Sequence, residues 1–101
     1  MFVLLNFVTL KVFRLRRIVG RSMLPQYKPG QLVVFRRTNE FEAGQVVLFL
    51  HEGKEKIKRI IQIKGRKVWL QGDNQTASTD SRHFGWIDRQ NIIAKVFWPQ
   101  R

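Results

Sequence analysis

The 101-residue chain contains no cysteine and only two histidines, His51 and His83. The absence of cysteine excludes disulfides, thiolate metal sites and thiol catalysis. Two histidines offer little for a metal centre, and neither lies in a motif that indicates a histidine base. We therefore predict no metal and no cofactor, and we expect any catalysis to use hydroxyl, carboxylate or lysine side chains.

Acidic residues are also scarce, since seven Asp and Glu stand against 19 Lys and Arg, for a net charge of +12. Such a charge suggests an anionic partner, a membrane surface or a solvated basic face. Together with three tryptophans and eight phenylalanines, it leaves a small basic β module that binds nucleic acid as one alternative. Because the basic residues are scattered along the chain, we expect no nucleic-acid partner.

No apolar run has the roughly 20 residues that a membrane-spanning helix needs. Residues 1–13 are apolar except for Asn6, Thr9 and Lys11, and arginines follow them. A secretory signal would instead place its positive charge before the apolar stretch. We expect residues 1–17 to form an N-terminal strand or short segment packed on the core of a cytoplasmic protein. The alternative is peripheral membrane contact through residues 1–13.

Short apolar runs rich in β-branched and aromatic residues follow one another along the rest of the chain, at 32–35, 46–50, 57–63, 68–70 and 92–98. Glycine-containing turns separate them, and no segment shows a sustained helical period. Strands at this spacing predict a mainly β fold, a single compact antiparallel domain over residues 18–101.

One lysine, Lys58, lies inside a strand-like apolar run, IKRII at 57–61. A neutral lysine amine can take the proton of a serine hydroxyl, although deprotonating an ordinary lysine at pH 7 costs roughly 4.6 kcal/mol. Burial and nearby positive charge lower that cost. Side chains alternate along a strand, so Lys58 can face inward while Arg59 faces the other way. An exposed position on an edge strand is the alternative.

Five ordered motifs resemble those of the type I signal peptidase family: GRSMLP (20–25), PGQLVVF (29–35), AGQVVLF (43–49), IKRII (57–61) and GDNQTASTDSRHFG (72–85). The resemblance covers about residues 18 to 98 and implies a serine–lysine endopeptidase with partly closed, barrel-like sheets. Within this family, the chain resembles the short, single-domain members without a transmembrane segment. It is most similar to the maturation proteases of nickel-type superoxide dismutase, which share the motifs VGRSMLP and ASTDSR-x-FG.

The resemblance also implies roles for individual residues. Ser22 would be the nucleophile, with its backbone N–H binding the oxyanion, and Lys58 would be the general base. Ser78 matches the serine whose hydroxyl orients the lysine amine. Two ion pairs would brace the site, Arg59 with Asp73 and Asp80 with Arg82. An apolar wall beside the substrate would be formed by Met23, Leu24 and Pro25.

The chain departs from the family pattern at three single positions, and the family's Pro-Gly-Asp segment after the lysine strand is shortened to Lys64-Gly65-Arg66. Gly20 replaces a serine whose hydroxyl helps to stabilise the oxyanion, and losing one such donor can cost about a hundredfold in rate. Gln31 and Gln45 replace aspartates, which leaves a more positive field around Lys58.

The resemblance implies that the partner is a precursor protein, nickel superoxide dismutase, from which the enzyme removes an N-terminal pro-segment. The alternative enzyme is a signal peptidase that cleaves exported proteins at a membrane. The first would be cytoplasmic, whereas the second would use the apolar N-terminus as its anchor.

Overall fold

A computed structural model describes residues 12–101, so residues 1–13, for which peripheral membrane contact was the alternative prediction, lie almost entirely outside the described residues. Seven strands make up most of the fold: β1 (Phe13–Arg17), β2 (Leu32–Arg37), β3 (Val46–His51), β4 (Lys54–Lys64), β5 (Lys67–Gln71), β6 (Ile87–Asp88) and β7 (Ile92–Trp98). The helical elements of this part of the chain are short: α1 (Ser81–Phe84) and two 3-10 turns, Gln75–Ala77 and Arg89–Asn91.

The strands form one sheet in the order β1-β2-β7-β3-β4-β5-β6, and every neighbouring pair is antiparallel. The prediction of a mainly β, antiparallel domain is therefore confirmed. Strand β1, at the end of the segment 1–17, pairs with β2 and forms one edge of the sheet. Strand β7 comes last in the chain but lies between β2 and β3, which ties the two halves of the sequence together.

The core has two parts, one on each face of β3. Val46 and Leu48 pack with Met23, Phe35 and other residues of the first cluster. Val47 and Phe49 face the opposite way and pack in the second cluster, which includes Ile60, Val68 and Leu70. Because β3 is buried on both faces, its sequence is a continuous apolar run instead of an alternating one.

Strand β4 positions the site because its first half is paired on one side only. It pairs with β3 from Lys54 to Arg59, whereas β5 pairs with the stretch from Arg59 to Lys64. The edge opposite β3 is thus open over residues 54–58 in the described structure. Arg16 of β1 reaches across to Glu55 of β4 through two hydrogen bonds of 2.7 and 3.0 Å. A cleft lies between these two strands.

None of the helices within residues 12–101 is long and apolar enough to cross a membrane.

Candidate active site

Ser22 and Lys58 both line the cleft, and their side chains contact each other. Ser22 lies in the turn between β1 and β2, and Lys58 lies in the half-paired part of β4. The Lys58 Nζ donates a hydrogen bond of 2.9 Å to the Ser22 Oγ, although the two residues are 36 positions apart in sequence. Lys58 is only 8 % exposed. The structure thus brings together the two residues that the resemblance marked as nucleophile and base.

The environment of Lys58 favours a neutral amine. Burial is the largest influence and lowers the pKa of Lys58, and the positive charge of Lys56 lowers it further. The carboxylate of Asp80 acts in the opposite direction but does not reverse the shift. An amine that has lost its proton can accept one from the serine hydroxyl across the same 2.9 Å contact.

The loop after β5 holds the Ser22 turn in place. The Asn74 backbone N–H donates to the Ser22 carbonyl at 2.8 Å, and the Asn74 side-chain amide donates to the Arg21 carbonyl at 3.1 Å. Gly72 lies so close that a Cβ there would be 2.7 Å from the Ser22 carbonyl oxygen. We did not predict a role for either residue, although both belong to the GDN motif.

Asp80 is a fully buried carboxylate that organises this loop. It accepts hydrogen bonds from the Ser78 hydroxyl at 2.6 Å, the Gly72 backbone N–H at 2.8 Å, and the Arg82 guanidinium at 2.8 and 2.9 Å. Burial alone would raise the pKa of the Asp80 carboxyl, but the donors, led by Arg82 and Ser78, hold that pKa well below its usual range. The carboxylate therefore stays ionised.

Ser78 differs in one respect from the role that the resemblance implied. Its hydroxyl proton goes to Asp80, and no hydrogen bond joins Ser78 to Lys58 in the described structure. A hydroxyl has only one proton to donate, so its geometry is set by the carboxylate. Ser78 is thus linked to Lys58 only indirectly, because Asp80 acts electrostatically on the amine.

A second ion pair lies on the opposite face of β4. Arg59 binds Asp73 through two hydrogen bonds of 2.8 Å, and its third contact is a 2.8 Å bond to the Gly44 carbonyl. This bidentate pair fixes β4 to the loop after β5, next to Lys58. The structure therefore contains both ion pairs that the resemblance implied, Arg59 with Asp73 and Arg82 with Asp80.

His83 has a structural contact that the sequence did not reveal. Its Nδ1 accepts from the Asp80 backbone N–H at 3.2 Å, while the Asp80 side chain accepts from the Arg82 backbone N–H at 3.1 Å. This reciprocal capping starts the single turn of α1. A histidine in place of the usual glutamate or glutamine gave no recognisable capping signal in the sequence.

The cleft beside Ser22 and Lys58 has a volume of about 430 Å³. Its lining combines apolar and basic side chains, among them Ile18, Met23, Leu48 and Ile57 with Arg16, Arg17 and Lys56. Of the three residues expected to form the substrate wall, Met23 lines this cleft, whereas Leu24 and Pro25 do not. Pro25 instead borders shallow depressions elsewhere, next to Gln26 and Arg101.

The backbone N–H of Ser22, which the resemblance implies as the oxyanion donor, donates to no other group within residues 12–101. Gly20, with a φ of 79°, has no side chain to supply a second donor. Over the same part of the chain, no group of three or more His, Asp or Glu side chains could hold a metal ion.

Comparison with known proteins connects this geometry to a family. A family model described as "Peptidase S24-like" matches residues 8–97. A 35-residue stretch is also 54 % identical to the "Mitochondrial ATP-independent inner membrane protease subunit 1a" of Arabidopsis thaliana. This second match covers 32 % of the chain and 21 % of the relative, so it spans about a fifth of that protein.

Proposed function

The chain belongs to the Peptidase S24-like family, and on this premise we propose that it is a serine endopeptidase with a Ser22–Lys58 catalytic dyad. The observation that carries the proposal is the 2.9 Å contact between the Ser22 hydroxyl and the amine of Lys58, a lysine that is only 8 % exposed. A lysine can act as a base only when its amine is neutral, and burial favours the neutral form because it makes the charged form unfavourable.

The proposed reaction has two stages. In acylation the neutral Lys58 amine removes the Ser22 proton while the Oγ attacks the substrate carbonyl, and the Ser22 backbone N–H stabilises the oxyanion. The Lys58 ammonium then gives its proton to the leaving amine. In deacylation the amine takes a proton from water, the hydroxide attacks the ester, and the proton returns to Ser22.

Asp80 partly offsets the effect of burial on the pKa of Lys58. Lys58 must be neutral before the attack and positively charged in the tetrahedral intermediate. The Asp80 carboxylate favours the charged form, whereas burial favours the neutral one. Because Arg82 neutralises much of the carboxylate's charge, the ammonium gains some stabilisation without being locked in the protonated state.

The proposed substrate is a precursor protein from which an N-terminal pro-segment is removed, and the specific candidate is the precursor of nickel superoxide dismutase. The motifs VGRSMLP and ASTDSRHFG support this choice, since both resemble the maturation protease subgroup. The enzyme would then be cytoplasmic. Its open cleft between β1 and β4 would bind the extended segment of the precursor that is cleaved.

A second candidate is the cleavage of exported or membrane proteins at a membrane surface. The match to an inner membrane protease subunit favours it. The cleft is the same in both cases, so the two candidates differ in substrate and location and share the chemistry.

One experiment tests the chemistry and separates the substrates. The purified chain is incubated with a nickel superoxide dismutase precursor or with a signal-peptide-bearing precursor, and new N-termini are located by mass spectrometry. Ser22→Ala should abolish cleavage, whereas Thr79→Ala, which removes an exposed hydroxyl of the neighbouring loop, should leave it unchanged. Cleavage by Ser22→Ala at the wild-type rate would refute the dyad.

A further inference from the structure

Lys56 is a second lysine on the base-bearing face of β4. Side chains of a strand alternate between its two faces, so residues 56 and 58 lie on the same face, about 7 Å apart along the strand. Lys56 also lines the same cleft as Ser22 and Lys58. A lysine at this distance can act electrostatically on the base without touching the reacting atoms.

Lys56 is held in a defined position, unlike most lysines on a strand. Its Nζ lies 3.0 Å from the His51 Nδ1 and 4.9 Å from the centre of the Phe84 ring. The rings of His51 and Phe84 are stacked, with centroids 4.0 Å apart. The His51 side chain is itself only 17 % exposed. His51 contributes a ring nitrogen and Phe84 a ring face, and neither side chain carries a negative charge that would cancel the charge of the ammonium.

The other charges around Lys58 are largely compensated. The carboxylates of Asp80, Asp73 and Glu55 bind Arg82, Arg59 and Arg16 respectively. Lys56, in contrast, has no carboxylate within ion-pair distance among the residues that the structure describes. The remaining charged or titratable groups on the elements and turns around Lys58 are Arg14 and Arg17 on β1, Arg21 in the Ser22 turn, His51 on β3, Lys54 and Lys64 on β4, and His83 on α1. Glu52, in the turn between β3 and β4, lies 3.4 Å from the His51 Nε2 and is not within ion-pair distance of Lys56.

We propose that Lys56 is a positioning residue of the peptidase: held by His51 and Phe84, it keeps an uncompensated positive charge beside Lys58 and so favours the neutral, base-competent amine. This inference rests on the proposed function, since it assumes that Lys58 is the base. A neighbouring cation is one of the established ways to activate a lysine.

The expected size of the effect follows from Coulomb's law. For two unit charges separated by about the 7 Å strand spacing of residues 56 and 58, effective dielectric constants between about 80 and 20 give a shift of about 0.4 to 1.7 pH units, which centres on about one. The electrostatic influence of Lys56 on Lys58 has this sign, because it lowers the pKa of Lys58. Removing the charge should therefore move the rising limb of the pH–rate profile to higher pH.

The test compares the pH dependence of kcat in four variants of the full chain. Lys56→Met should move the rising limb upward by about one unit, which is close to a tenfold loss of rate on its slope. Lys54→Met is the matched control, because Lys54 lies on the same face but is exposed at the hairpin end, and its profile should match the wild type. His51→Phe removes the acceptor of Lys56 and should give a smaller upward shift. Lys56→Arg keeps the charge and should largely restore the wild-type profile.

Three results would overturn the proposal. The first is a pH profile of kcat for Lys56→Met that matches the wild type. The second is an equal shift of that profile for Lys56→Met and Lys54→Met, which would indicate a non-specific effect of net charge. A rise in KM with an unshifted kcat profile would instead make Lys56 a substrate-binding cation. Activity of Ser22→Ala or Lys58→Met would refute the proposed function itself, so the two failures remain distinguishable.

Discussion

The Ser78 hydroxyl donates a hydrogen bond of 2.6 Å to the carboxylate of Asp80, a residue that is completely buried. The same carboxylate also binds the Gly72 backbone and the Arg82 guanidinium. Gly72 in turn packs directly against Ser78 and the Ser22 carbonyl. One buried anion therefore connects the loop after β5 with the turn that carries the candidate nucleophile.

Removing this anion should destabilise the whole domain. We expect Asp80→Ala to lower the free energy of unfolding by about 3 kcal/mol, because it leaves the Ser78 hydroxyl and the Gly72 N–H without their acceptor. Urea denaturation followed by tryptophan fluorescence measures the loss. Thr79→Ala, one residue away and exposed, should change stability by less than about 0.5 kcal/mol. Similar values for the two variants would contradict the importance of the buried network.

A methyl group at Gly72 should damage both the fold and the site. Its Cβ would lie 2.7 Å from the Ser22 carbonyl oxygen and closer still to the Ser78 side chain, so backbone has to move. We expect Gly72→Ala to cost about 2 kcal/mol or more and to reduce proteolysis at least tenfold. Gly65→Ala is the control: its Cβ meets open space, and only its φ of 59° is unfavourable. That variant should lose about 1 kcal/mol and keep its activity.

Sequence patterns were sufficient for most of the sheet. The runs of β-branched and aromatic residues at 46–50 and 68–70 lie within β3 and β5, because such side chains suit a half-buried or buried strand. Strand order was not predictable, since nothing local in Ile92–Trp98 indicates that β7 inserts between β2 and β3. Pairings between distant strands depend on the packing of the complete core.

The same limit applies to the site. The motifs pointed to Ser22 and Lys58, but the holder of Lys56 depends on His51 and Phe84, which are 33 residues apart and meet only in the folded domain. The hydrogen bond of Ser78 could not be predicted either, because Asp80 and Lys58 compete for a single hydroxyl and only their positions decide which receives it.

The buried lysine should itself lower the stability of the protein. Its pKa is lowered in the folded state, so the unfolded chain binds more protons between the folded pKa of Lys58 and the ordinary value of about 10.4. Its contribution to the free energy of unfolding should therefore rise with pH across that interval. Lys58→Met should be inactive yet more stable than the wild type at pH 7 by about 1 kcal/mol, a difference that shrinks towards pH 10. Urea titrations at several pH values provide the test, and a variant that is less stable at pH 7 would show that the charge is not penalised.

The chemistry of the base should appear in the rate as a function of pH. If the neutral Lys58 amine removes the Ser22 proton, kcat/KM should rise with pH up to the pKa of Lys58, which burial places below the ordinary lysine value. Lys58→Arg keeps the positive charge but cannot lose its proton, so its activity should fall by about 10³-fold across the whole range. Circular dichroism spectra of this variant control for misfolding. A rate that is independent of pH between 6 and 9, or an active Lys58→Arg variant, would remove the lysine from the mechanism and leave the 2.9 Å contact as a structural hydrogen bond.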